Sequence, residues 1–145
     1  YINNDSVDRL GRSIYGSDFI LDNLEIILKK YRLSVVDLSG KYRDEFAVDG
    51  VDYIDRPVDF FEKLVAVDVY IRPTASDGNS VAVLESLLAG VRCLASDVVS
   101  RPKGCQTYKY GDIKDFLLRL SIVLDSPNPS QEDVSLTSVS EIIEM

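Results

Sequence analysis

The chain has 145 residues, 46% of them hydrophobic, a formal net charge of −8 and no histidine. That length suits one domain, and that apolar fraction supports a core and argues against wholesale disorder. The negative charge argues against a general nucleic-acid or anionic-membrane surface, although backbone amides could still build a local phosphate pocket. Without histidine, neither imidazole acid–base catalysis nor imidazole metal ligation is open to this chain.

The stretch Tyr1 to Ser6 is too short and polar to classify. Ser17 is placed to cap a helix running to about Tyr31, because Ile20, Leu24, Ile27, Leu28 and Tyr31 recur at helical spacing and Lys29 and Lys30 suit its last turn. Leu33 to Leu38 reads as a short strand closed by Ser39-Gly40, and Lys41 to Phe46 as a helical turn. Val51 to Ile54 is a second strand, stopped by Arg56-Pro57. Asp59 begins a helix through Ala66. Val67 to Ile71 is a third strand, stopped by Arg72-Pro73.

A helix capped by Asn79 or Ser80 then runs to Ala89, with Gly90 as its C-cap. Val91 to Ala95 reads as a buried strand. Asp112 to Leu124 is an amphipathic helix carrying Ile113, Phe116, Leu117, Leu120 and Leu124 on one side. Ser126-Pro-Asn-Pro-Ser130 is a linker, and Leu136 to Met145 a last short helix. This alternation of short apolar strands with helices predicts an α/β fold: a Rossmann-like three-layer sandwich around a parallel sheet. The organisation is a domain over residues 1–125 and a linker with a terminal helix over 126–145. Cys93 and Cys105 lie twelve apart, which is no metal-ligand spacing; both read as reduced thiols of a cytoplasmic protein. No signal peptide and no apolar run of membrane-spanning length is visible. The chain opens on Tyr1 rather than Met, as a piece of a longer protein would.

One stretch carries the functional reading. Ser76-Asp-Gly-Asn-Ser-Val-Ala-Val-Leu-Glu85 places two acids around otherwise small or apolar residues. Asp77-Gly78 follows a strand, at the edge where parallel sheets hold ligands. Gly78 allows close backbone approach. The first amides of the helix, around Ser80 to Val83, point outward without internal partners, a ready phosphate site. Glu85 lies roughly 7–9 Å further along at 1.5 Å per residue. Amid Leu84, Leu87 and Leu88 its carboxylate would be costly unless hydrogen-bonded; paired sugar hydroxyls would satisfy it. The spacing leaves a second reading open, in which Glu85 faces solvent and Asp-Gly is an ordinary turn.

The run from Arg72 to Asp97, with its acid, seven residues, Glu, then Ala89-Gly90 and an apolar strand ending in Ala95-Ser96, resembles the signature of retaining GT-B glycosyltransferases. The continuation to Gly104, then Gly111-Asp112, resembles the bacterial capsule and surface-polysaccharide branch of that family. The likeness covers about Gly11 to Leu124 and is specific over Arg72 to Gly104. It implies the donor half of a two-domain enzyme that moves a sugar from a nucleotide diphosphate-sugar (a UDP- or GDP-sugar) to a polysaccharide or lipid-linked acceptor.

By that resemblance Glu85 holds the donor ribose hydroxyls. Asp77 contacts the transferred sugar, where Glu is commoner, and the amides after Gly78, at Asn79, Ser80 and Val81, contact the diphosphate. Arg12 of Gly11-Arg12 supports the departing nucleotide. The family's lysine before the next glycine is absent, since Tyr15 precedes Gly16. Arg72, Arg101 and Lys103 border strand ends, and Tyr53 and Arg56 lie where the family recognises the base. No metal or other cofactor is implied. The expected partners are the donor and an N-terminal acceptor domain of the same full-length chain, with catalysis in the cleft between them. Nucleic acid is not a partner. The expected location is the cytoplasm, with peripheral association at the inner face of the cell membrane through the missing domain. The rival readings are a non-catalytic flavodoxin-like binding or scaffold module, for which Asp37 lacks the acidic cluster of a receiver, and one half of a nucleotide-sugar epimerase.

Overall fold

The computed structural model describes residues 2–3, 7 and 9–130. In chain order its elements are β1 (Ile2–Asn3), α1 (Ser17–Asp22), α2 (Leu24–Leu28), β2 (Leu33–Asp37), β3 (Val51–Ile54), α3 (Phe60–Val65), β4 (Val69–Arg72), α4 (Val81–Leu88), β5 (Arg92–Ser96), β6 (Cys105–Tyr108) and α5 (Ile113–Asp125). The strands form two sheets, ordered β1-β2-β3 and β4-β5-β6, and every strand pair is parallel. The fold is therefore α/β and Rossmann-like, as the alternation of strands and helices predicts.

Side-chain alternation explains why helices cover both faces of the second sheet. Ile71 and Leu94 join the core made with Phe19, Ile20, Phe116, Leu120 and Val123 of α1 and α5. Their neighbours Tyr70 and Cys93 turn to the opposite face and pack with Leu64 of α3 and Val83, Leu84 and Leu87 of α4. Successive strand residues point to opposite faces, so two adjacent apolar residues on one strand serve two separate cores.

β1 pairs with only Val36 and Asp37, at the carboxyl end of β2. Nearer the amino ends of the strands, a cavity of about 480 Å³ opens between β2 and β4, lined by Leu33, Val36, Val69, Ile71 and Leu124 among others. Beyond the carboxyl ends the loops leaving β1 and β4 are in contact: Ala75 N donates to the Ile14 carbonyl at 2.8 Å. Chain direction across the sheets reverses there, and doubly wound folds hold ligands at such a point.

Local chemistry accounts for the departures from the sequence reading. The helix expected from Ser17 to Tyr31 is two helices. Asn23 divides them, its Nδ2 donating to the Phe19 carbonyl at 2.8 Å, the local competition that makes asparagine a poor interior helix residue. The cap is Gly16, at φ 81°, and Ser17 is buried one position later. The α4 expectations hold at both ends. Ser80 Oγ accepts from Val83 N at 3.2 Å. Gly90, at φ 74°, donates to the Leu87 carbonyl while Val91 N donates to that of Ser86, the paired bonds of a Schellman ending. β6 was not foreseen, since its middle residues Gln106 and Thr107 are exposed at the sheet edge. The carbonyl of Ser126, where the linker begins, accepts from Arg92 Nε at 2.8 Å. The expected helix over 136–145 lies outside the described residues.

Candidate functional site

The loops beyond the carboxyl ends of β4 and β5 converge on Asp77. Arg72, the last residue of β4, reaches its carboxylate twice, Nε to Oδ2 at 2.8 Å and Nη2 to Oδ1 at 2.9 Å. Arg101, five residues beyond β5, adds Nη1 to Oδ2 at 2.6 Å. Thr74 Oγ1 and Gly78 N complete the shell at 3.2 and 3.0 Å. Arg101 is itself anchored. Its Nε donates to the Ser96 carbonyl and its Nη2 to Thr74 Oγ1 and Ser96 Oγ. The side chains of Asp77 and Arg101 are 6% and 3% exposed, and that of Arg72 is 14% exposed.

This geometry fixes charge. Burial alone would raise the Asp77 carboxyl, but the hydrogen bonds from Arg72 and Arg101 outweigh it and hold the group at about 2. The carboxylate is therefore ionised at neutral pH and carries one negative charge between two guanidinium groups. The cluster is left with one surplus positive charge at the strand tips. Arg72 extends it outward, its guanidinium carbon 5.6 Å from the centre of the Tyr15 ring. The Tyr15 ring, on the loop before α1, thus supports the arginine at the end of β4. Arg12 is exposed and lies over the Tyr110 ring at 5.7 Å.

The site residues read from the sequence divide into two groups. Asp77, Gly78, Asn79, Ser80 and Val81 lie on the loop and first turn entering α4, with Gly78 and Asn79 exposed. Both Asp77 oxygens are taken up by the arginines and the loop, so in this structure its role is to hold the cationic pair. Ser80 caps α4, leaving the amides of Val81 and Ala82 among those that an α-helix cannot satisfy internally. Glu85 corrects the expectation of a carboxylate in an apolar setting. It is exposed, on the same face of α4 as Val81 and Leu88, which are 57% and 49% exposed, as their i, i+4, i+7 spacing requires. No burial cost has to be met there.

From the sequence Arg72 and Arg101 are only residues bordering strand ends, because nothing in the run from Arg72 to Gly104 pairs one with the other. Their shared carboxylate is what makes them a unit. Tyr53 donates to the buried Asp37 at 2.6 Å, and Arg56 and Lys103 are exposed. The apolar cavity between β2 and β4 lies toward the other end of the strands. No group of metal-ligating residues occurs among the described residues, and no described helix is long and apolar enough to cross a membrane. Compared with models of known protein families and with curated proteins, the chain matches none.

Gly78 borders open space on this loop. A Cβ built on it meets nothing within 4 Å, and its φ lies outside the left-handed range. Neither conformation nor internal packing demands glycine there. Gly78→Ala is therefore expected to leave the melting temperature within about 1–2 °C of the parent, as for an ordinary surface substitution. A larger drop in a thermal scan would show a structural need that the geometry does not contain.

Proposed function

We propose that this domain binds a nucleoside diphosphate, as the donor-sugar half of a glycosyltransferase acting together with an acceptor domain. The observation that carries the proposal is the surplus positive charge of the Arg72–Asp77–Arg101 cluster, set beside the entry to α4 where the loops after β1 and β4 meet. Oriented amides, a helix terminus and a desolvated arginine pair together suit a diphosphate. An anion bound there would gain from charges already held in place, and the same charges would offset the negative charge growing on a departing nucleotide.

The exposed face of α4 continues outward from that point. Glu85 would accept from both ribose hydroxyls, while Val81 and Leu88 offer apolar flanks. Arg12 would approach the phosphates from the loop after β1. Asp77 takes a positioning part here, fixing the arginines rather than the sugar.

Titration calorimetry with UDP, GDP and ADP tests the reading. At least one should bind, and Glu85→Ala should weaken it by roughly 10- to 100-fold, the loss of two solvent-exposed hydrogen bonds at about 1 kcal/mol each, with the melting temperature unchanged. Gly78→Ala should weaken the same ligand by obstructing close approach. If none of the three binds, the domain is a scaffold whose arginine cluster is purely structural; if Glu85→Ala binds as the parent does, the assignment of Glu85 to the ribose is wrong.

A further inference from the structure

The two cysteines, twelve residues apart in the chain, meet across the second sheet. Cys93 on β5 and Cys105 on β6 are register partners. Their Sγ atoms lie 3.4 Å apart in a hydrogen bond, and both are free thiols. Neighbouring strands run about 4.8 Å apart, inside the window of roughly 4.4–6.8 Å between Cα atoms that a disulfide can join. As register partners the two side chains leave the same face of the sheet, the one covered by α4.

We infer that Cys93 and Cys105 form a reversible dithiol–disulfide pair, closing across β5 and β6 by exchange with a small-molecule disulfide.

The surroundings give the two sulfurs different parts. Cys93 is 1% exposed, and burial pushes its thiol up. Cys105 is half-buried on the edge strand β6. The hydrogen bond shared with Cys93 holds its thiol below the usual range against the effect of burial, and the charge of Arg101 acts the same way. Cys105 is therefore the attacking sulfur. Its thiolate, having lost its proton to solvent, attacks one sulfur of R–S–S–R. The S–S bond breaks, the first RS⁻ leaves and a mixed disulfide forms. Cys93 passes its proton to a departed RS⁻ and attacks Cys105 Sγ, displacing the second RS⁻, which takes a proton from solvent. Two electrons pass from the protein thiols to the reagent, which departs as two RSH. The reverse path enters at the same edge sulfur.

The site sits where closure can be felt. Cys93 packs among Val83 and Leu87 of α4, the helix whose outer face carries Glu85. β5 ends at Ser96, which anchors Arg101.

The test equilibrates the purified chain with a series of oxidised and reduced glutathione mixtures. After an acid quench, intact mass and denatured alkylation with N-ethylmaleimide are read. The parent should lose two hydrogens, carry no glutathione and lose both alkylatable thiols, with full recovery in dithiothreitol. Cys93→Ser should stop at one glutathione on Cys105, and Cys105→Ser, shown folded by circular dichroism, should take none. The inference is overturned if the parent keeps two alkylatable thiols across the series, or accumulates a mixed disulfide or a cross-linked dimer instead. The assigned order of attack is overturned if Cys105→Ser is modified as readily as Cys93→Ser.

Discussion

Gly16→Ala should destabilise the domain by about 3 kcal/mol or more, combining backbone strain with a steric clash. Two independent causes act together. The residue sits at φ 81°, where a Cβ is unfavourable. A Cβ there would also lie 2.0 Å from the Pro73 carbonyl oxygen and 2.8 Å from its carbon. These are backbone atoms that cannot rotate aside. Relief requires the loop after β1 to part from the loop after β4, which strains the bond between Ala75 N and the Ile14 carbonyl. The same movement separates Tyr15 from Arg72. Thermal unfolding followed by circular dichroism should show a drop of roughly 10 °C at this size, with the proposed nucleotide affinity lost alongside it. An unchanged melting temperature would mean that the two loops are not in the contact described.

The contrast between Gly16 and Gly78 marks how far the sequence could be read. Both follow strands and precede helices, and both look like ligand-side glycines. Only the folded structure separates the one wedged against Pro73 from the one with open space around it. The strands β2 to β5 were legible because each is a short apolar run bounded by charged residues, Gly or Pro. α4 was legible at both ends because Ser80 and Gly90 are strong local signals. The break at Asn23 was not, since the hydrophobic spacing from Ile20 to Tyr31 continues through it. Only the side-chain bond to Phe19 reveals the interruption. Edge strand β6 escaped notice because half of it faces water and carries polar residues.

The site shows the same division. The Asp77-Gly78 turn and the capped helix are local and were found. The arginine pair is tertiary: Arg72 and Arg101 stand 29 positions apart, and only the folded sheet brings both onto one carboxylate. Glu85 went the other way. Its leucine neighbours suggested burial, but α4 turns Leu84 and Leu87 inward while carrying Glu85 and Leu88 outward. A helical wheel distinguishes these faces only once the buried side is known.

Removal of the Asp77 carboxylate should be among the most damaging changes in the domain. Asp77→Ala leaves Arg72 and Arg101 facing each other without a counter-charge, with the Arg101 side chain only 3% exposed. Breaking a buried pair from one side costs about 3–5 kcal/mol, because the remaining charge is neither solvated nor paired. The double variant Asp77→Ala, Arg101→Met removes one stranded cation and should recover part of that loss, so the two substitutions should be far from additive. Denaturant unfolding of the parent, both single variants and the double variant measures the coupling. Additive losses would mean that the carboxylate and Arg101 do not depend on each other.

Acid provides a second measurement on the same group. The folded carboxyl is held at about 2, below the value of about 3.9 for an unfolded aspartate. The unfolded chain therefore binds the proton first as pH falls. The contribution of Asp77 to stability is fully present above about pH 5 and declines as the solution is acidified through 3.9 toward 2. In Asp77→Ala that part of the acid dependence should disappear, flattening the stability profile between about pH 4 and pH 2 relative to the parent. A variant profile parallel to the parent's over that interval would mean that the arginines do not hold this carboxylate ionised. The ion pairs that hold the two guanidinium groups in place beside the proposed diphosphate site would then not be those described.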